Sequence, residues 1–432
     1  MFKLLKDSFK EKGIRNKIFF TLFILFAFRV GAHITVPGVN AKALVELNEL
    51  ALVTMFNTVS GNAMENFSLF AMGVSPYITS SIIIQLLQMD IVPKFVEWSK
   101  QGEVGRRKLN QATRYLTLVL GFIQSIAITA GFNFYSNAGL VKSPSVYTYV
   151  SIGIILTAGT MFVTWMGEQI SERGIGNGVS MIIFAGIISK FPSNVKEIYQ
   201  AFFVNIDKGE TLKSVFFVLA LVVAIILVVI MVTYVQQAER KIPIQYTKRV
   251  AGAPQSSYLP LKVNAAGVIP VIFASSFIAT PQAILTAFQT TQGSKTWFEV
   301  LSTIFNYSTI PGGIIYTILI IAFTFFYAFV QVNPEKVAEN LQKQGSYIPS
   351  VRPGKDTEQF ISTLLMKLST VGSLFLGIVA ILPIIAQNIW NLPPSIGLGG
   401  TSLLIVISVA LDTNKQLEGL LLKRQYTGFI RE

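Results

Sequence analysis

The residues on which most enzymes rely are almost missing from this chain. It holds one histidine, His33, and no cysteine. A thiolate nucleophile, a disulfide framework and a cysteine metal site are therefore excluded. One imidazole is also too few for a histidine metal centre, and the chain offers no basis for a Ser/His/Asp relay. Gly174-Ile-Gly-Asn-Gly178 has the glycine density of a dinucleotide loop. It lies between two apolar runs, not between a strand and a helix, so it reads as a tight turn that opens the next helix. No G-x-x-x-x-G-K-[ST] or H-E-x-x-H pattern occurs. The expectation is no catalytic residue, no metal and no other cofactor. Hydroxyls are plentiful inside apolar runs, at Thr79, Ser80, Ser81, Ser275 and Ser276. Small polar residues there serve close helix packing, and a helix pair packed this way can also part, which suits a gate.

The elements that carry these residues follow from composition. The 432 residues are 52% hydrophobic and 13% charged, whereas a soluble chain carries roughly a quarter charged residues. Most of the solvent is therefore lipid. A bilayer core takes about 20 apolar helical residues. On that ruler clear spans lie near 18–36, 115–131, 149–167, 215–235, 313–332 and 360–386. Weaker ones, short or broken by Gly and Pro, lie near 67–89, 178–191, 263–288 and 398–411. Ten spans result, five in residues 1–200 and five in 201–432. The fold expected is an all-α polytopic membrane protein with two inverted five-helix halves around a central pore. Six Lys/Arg precede the first span, as in a signal peptide, but no small-residue cleavage site follows, so it reads as an uncleaved helix.

With the N-terminus inside, segments on the cytoplasmic side hold 25 Lys/Arg and external segments hold 7. That asymmetry places both termini in the cytoplasm. It also accounts for much of the net charge of +13. Residues 236–262 and 332–360 are longer and more polar than topology needs, so they read either as topogenic or as docking loops meeting a cytoplasmic partner.

Ala71-Met-Gly-Val-Ser-Pro-Tyr-Ile78 and Ala265-Ala-Gly-Val-Ile-Pro-Val-Ile272 share A-x-G-V-x-P-x-I. Each opens the second span of its half, and five spans per half invert the second copy. Transporters and channels are built this way, with the path at the interface of the halves. A Gly/Pro-broken helix needs protein or a water-filled cavity around its freed backbone groups, so both copies mark a cavity. Residues 56–67 are too polar to span and too apolar for a solvated loop, and read as a re-entrant element or an external loop. The only deep charge is Arg29, about 10 Å from the outer end of its span, where an anchoring or packing role is favoured over substrate binding. His33 reads as an interfacial side chain. An ion-coupled transporter would place carboxylates or histidine in its spans, and an intramembrane protease would need a dyad. Val74, Ile78, Ile269 and Ile272 offer an aliphatic constriction that gates by dewetting. A conduit is favoured over a pump.

Several motifs together resemble one family: Gly102-Glu-Val-Gly-Arg-Arg-Lys108, Gly174–Gly178, Leu259-Pro-Leu-Lys-Val-Asn264 with Gly267-Val-Ile-Pro270, Val351-Arg-Pro-Gly354 and Gly399-Gly-Thr-Ser-Leu-Leu-Ile405. In order and over essentially the whole chain they resemble SecY, the central subunit of the bacterial Sec protein-conducting channel. The resemblance implies a plasma-membrane hourglass channel that passes unfolded polypeptides and releases membrane helices sideways into lipid. It implies a pore ring at Val74, Ile78, Val179, Ile183, Ile272 and Ile405. It implies a short plug helix at roughly 61–70, with Gly61, Asn62, Ala63, Met64, Phe67, Leu69 and Phe70. The second and seventh spans would form a lateral gate, with Thr79, Ser80, Ile83, Asn264, Ser275 and Ser276. Arg240, Lys241, Lys248, Arg249, Arg352 and Lys355 would dock the SecA motor or the ribosome, while SecE clamps the halves and SecG joins peripherally. The chain departs from the family pattern in lacking a glycine run before the plug, in two ring valines, and in the short uncharged tip 251–257.

Overall fold

Lipid offers no hydrogen bonds, so an apolar run must satisfy its backbone within itself, and a helix does so. The computed structural model describes residues 2–40, 57, 60–61, 63–89, 91–135, 139–204, 211–246, 256–292, 296–306, 309–390 and 400–428. Each of the ten apolar runs falls on a helix. After a short amphipathic α1 (Phe2–Lys10) come α2 (Lys12–Gly31), α3 (Ser75–Leu87), the surface helix α4 (Pro93–Lys100), α5 (Gly102–Tyr135), α6 (Val146–Arg173) and α7 (Gly178–Tyr199). The second half of the chain gives α8 (Thr211–Gln237), α9 (Ile269–Gln292), α10 (Thr296–Ile304), α11 (Ile310–Gln331), α12 (Pro334–Lys343), α13 (Lys355–Trp390) and α14 (Gly400–Gly428). Among the described residues, α5, α6, α7, α8, α11 and α13 are long and apolar enough to cross a membrane. Only 6% of the apolar stretch of α8 is buried within the chain, so nearly all of that helix packs against nothing in its own chain.

Two helices begin later than hydropathy suggests. The runs at 67 and 263 open with turns, and helix starts only at Ser75 and Ile269. Gly73 and Gly267, equivalent in the repeat, both take positive φ, +52° and +65°. A side chain would strain that conformation, and it turns the chain just before Pro76 and Pro270, whose fixed φ suits a first helical turn. The sequence repeat is thus a repeat of backbone conformation. With 13 residues, α3 is about 20 Å long, short of a bilayer core of about 30 Å. Helices from 1–200 meet those from 201–432 where α9 packs on α3 and α5 and where α14 packs on α7 and α1.

The two polar loops are not independent. Strands β1 (Glu239–Tyr246), β2 (Ser256–Lys262) and β3 (Ser346–Tyr347) form one antiparallel sheet in the order β2-β1-β3. Glu239 pairs with Lys262, and Gln245 with Tyr347. Alternation puts Ile242 and Ile244 on a buried face with Leu261, Leu341, Ile348 and Ile361, while Arg240 and Lys241 stay exposed. This sheet departs from the all-α chain expected.

Candidate functional site

The repeated turn places Val74 at the cap of α3 and Ile78 and Ile272 on the first turns of α3 and α9. Val179 and Ile183 come from the start of α7, and Ile405 from α14. Val74, Ile78, Ile183, Ile272 and Ile405 are buried in a single apolar cluster, with Val179 half-buried against it. Four helices from both ends of the chain therefore contribute branched aliphatic side chains to the main apolar core, which also takes in residues of α2, α5, α6, α8, α11 and α13. Such a cluster binds no ion and is poorly wetted when narrow.

The segment before α3 packs onto the same cluster. Residues 57 and 60 are helical, but Gly61 and residues 63–74 run as turns with a single bridge from Ser68 to Thr35, so among the described residues of 61–70 there is no helix. Its backbone is held from outside instead. Val36 N donates to Phe67 O at 3.1 Å and Leu69 N to Ile34 O at 2.9 Å, tying the segment to the end of α2. Phe67 takes φ +41°, unusual for an aromatic residue. Ala63, Met64, Phe67 and Phe70 are buried and Leu69 packs beside them, while Asn62 lies outside the described residues. Phe70 stacks between Phe28 and Phe162, centroids 5.8 and 6.0 Å apart.

Two cations fasten this segment. Arg29 Nη1 donates to Gly61 O at 2.9 Å. The guanidinium thus holds a main-chain carbonyl, a more specific role than the anchor expected. Lys190 Nζ lies 3.2 Å from Glu65 Oε1, and the Asn57 carboxamide engages both the Glu65 side chain and its N–H. Lys190 stands on α7, which continues beyond the apolar run to Tyr199. Between the two anchors Gly61 touches Gly186, and a Cβ on either would collide with the backbone of the other. His33 is exposed, 3.5 Å from Asn66 Nδ2.

At the contact of α3 with α9, the Thr79 hydroxyl lies 3.5 Å from that of Thr280, and Gln124 Nε2 of α5 donates to Thr280 Oγ1 at 3.3 Å. Thr280 and Gln124 are thus the polar links across the seam, and the sequence reading missed both. Ser80 and Ser275 instead donate to carbonyls of their own helices, Pro76 O and Ile272 O. Ser276 is buried on α9 and Ile83 is half-buried on α3, while Asn264 sits in the turn ahead of α9, away from the Thr79–Thr280 contact. The sheet and α12 form a platform that exposes Arg240, Lys241, Arg352 and Lys355; Lys248 and Arg249 lie outside the described residues. Thr357 Oγ1 donates to Arg352 O at 2.8 Å, and Ser350 and Gly354, both at positive φ, shape the turn that presents Arg352.

A family model described as SecY matches residues 68–414. The protein translocase subunit SecY 1 of Lactobacillus kefiranofaciens subsp. kefiranofaciens is 62% identical over 431 residues, covering 100% of each chain. The protein translocase subunit SecY of Bacillus subtilis (strain 168) is 52% identical over 435 residues, again covering 100% of each. Among solved structures, one described as a protein conducting channel matches with TM-score 0.63 at 19% identity, over 93% of this chain and 91% of that one. Sec61 in the canine ribosome-channel complex from the endoplasmic reticulum matches with TM-score 0.61 at 18% identity, over the same shares. These structures share the fold, and the relatives share the sequence from end to end. This chain belongs to the SecY family.

Proposed function

We propose that this chain is the pore-forming subunit of a Sec translocase in the plasma membrane. It passes unfolded polypeptides across the bilayer and releases transmembrane segments sideways into lipid. The observation that carries this reading is the aliphatic cluster drawn from α3, α7, α9 and α14, capped by a segment with its own fastenings. Aliphatic side chains have no hydrogen-bonding preference, so they close on any sequence without holding it. The chain is a passive conduit of two five-helix halves, 1–200 and 201–432. The seam between α3 and α9 is the lateral gate, and residues 61–70 are the plug. SecE holds the halves together and SecG joins at the periphery. The test is import of an unfolded secretory precursor into vesicles holding the purified chain with SecE, SecG and the SecA motor. Absence of import into vesicles with a folded complex would overturn the reading.

The driving partner, SecA or the ribosome, meets the cationic platform, since two loops joined in one sheet present a single rigid surface. Arg352→Glu should therefore lower SecA-driven import about tenfold, because like charge faces a complementary patch. Folding and insertion should be unaffected, as an exposed loop cation contributes little to stability. Equal import by mutant and parent vesicles would leave Arg352 a topogenic charge only. The same charge asymmetry puts both termini in the cytoplasm. Reporter fusions after Asn110, Lys262 and Lys355 should read as cytoplasmic and a fusion after Ser143 as external. An external signal after Lys355 would break the inverted arrangement.

A further inference from the structure

We propose that a polar cavity beside the aliphatic cluster binds the main-chain amide of an extended polypeptide through Gln236 and Asn264. The cavity, of about 300 Å³, lies among α7, α8, α11, α14 and the turn that leads into α9. Its wall comes within about one helical turn, along the chain, of three of the ring residues. Ser180 on its wall neighbours Val179, Ile269 precedes Ile272 by about one turn, and Val409 follows Ile405 by about one turn. A chain that reaches the aliphatic cluster from the side of the platform passes this cavity.

Two carboxamides on its wall are built in an unusual way. Gln236 is 8% exposed and Asn264 2%. Gln236 Nε2 and Asn264 Oδ1 are buried without a hydrogen-bond partner. The Asn264 amide orientation is fixed, because its Nδ2 donates to Gly267 O at 2.9 Å, which leaves Oδ1 as the free acceptor. Buried polar atoms are nearly always paired, so an unpaired donor and an unpaired acceptor on two residues of one cavity wall leave hydrogen bonds for a ligand to complete, each reached by a small side-chain shift since both atoms are covered. The group they complement offers a carbonyl oxygen to Gln236 and an N–H to Asn264. That group is a peptide unit. At the rim Lys262 and Asp412 pair with each other, 3.6 Å apart, so the site carries no uncompensated charge to select among side chains. The volume is at the small end for ligand sites and admits a short extended stretch rather than a folded element. A site that reads only the backbone gives a passing chain a resting place of any sequence, next to a constriction that gives it none.

This inference rests on the reading of the chain as a polypeptide channel, and its test separates the two. The photo-reactive residue p-benzoylphenylalanine is placed at Ser180, beside the cavity, or at Ile78, in the constriction, within the reconstituted full complex. The probe is a synthetic precursor stalled by a folded C-terminal block, with a Gly-Ser stretch in the channel. A second probe carries the same stretch with every backbone nitrogen methylated. Cross-linking at Ser180 should fall about fivefold on N-methylation, and by a similar factor in Gln236→Met, as for the loss of one neutral hydrogen bond. Gln236→Leu is apolar, of similar bulk and without a donor, and should behave as Gln236→Met does. Cross-linking at Ile78 should hold in all cases. If N-methylation and both substitutions leave the Ser180 yield unchanged while Ile78 still cross-links, the cavity holds only water and the inference falls. If the parent complex gives no cross-link at Ile78, the channel reading itself falls.

Discussion

Ile78→Asn combined with Ile272→Asn should raise the resting ion conductance of reconstituted channels on the order of tenfold or more. A conduit wide enough for an extended peptide must hold back ions when idle. A narrow aliphatic neck does so because an ion entering it would lose hydration with nothing in return. Ile78 and Ile272 occupy equivalent positions of the repeat, each on the first turn after a Gly/Pro break, and are buried in the same cluster. Two carboxamides there would hold water and lower that barrier from both sides. The double variant should also relax the demand for a strong signal sequence, because a wetted neck is already part-way open. If both isoleucines merely pack the interface, the variant would yield less folded complex and no leak. Ile84→Asn supplies the comparison. Ile84 is also buried on α3 but lies outside that cluster, so it should cost stability without leak. Planar-bilayer conductance normalised to folded complex separates these outcomes. Unchanged conductance in a well-folded double variant would remove both residues from the seal.

Apolar runs were enough to find every long helix, since burial in lipid leaves the backbone few alternatives. Boundaries failed where backbone conformation rather than hydropathy decided them. Residues 67–74 and 263–268 are as apolar as the helices they precede, but Gly73 and Gly267 turn the chain first. The repeat was legible because its identities are the residues that set that turn. The sheet was missed although Ile242 and Ile244 alternate, as do Leu259 and Leu261. Two alternations within a basic loop are a weak signal, and the third strand comes from about 100 residues later, where nothing local marks a pairing. The aliphatic cluster could be proposed from type and position. The Gln124–Thr280–Thr79 contact could not, because its members stand on three helices far apart in sequence. Arg29 was singled out as the only deep charge, but its acceptor is a main-chain carbonyl, which no side-chain pattern records.

Arg29→Leu should release the capping segment and open a leak of a different kind from that of the neck. A hydrogen bond from a charged donor contributes about 1.5–3 kcal/mol, or roughly a 10- to 100-fold change in the population of the displaced segment. Loss of the Arg29 bond to Gly61 O should therefore give brief, full-sized openings rather than a steady small leak. Lys190 makes the second fastening through Glu65, with side chains 18% and 29% exposed. Partial burial protects that pair from much of the screening that weakens surface ion pairs. Lys190→Glu should raise the opening frequency, and adding Glu65→Lys should bring it part of the way back, since the pair is rebuilt with its signs exchanged while the Asn57 amide loses its acceptor. Gly186→Ala tests the steric contact between the two fastenings. Its new Cβ collides with Gly61 backbone, whereas one on Gly419 meets nothing within 4 Å, so Gly419→Ala should leave conductance unchanged. All three anchors stand on α2 and α7, within residues 1–200. On the proposed reading, the seam between α3 and α9 therefore parts without undoing them, and lateral release of a helix does not require unseating the cap. Single-channel recording gives the outcome that decides. Parent-like silence in folded Arg29→Leu and Lys190→Glu channels would mean that the cap is held by its buried aromatic rings alone.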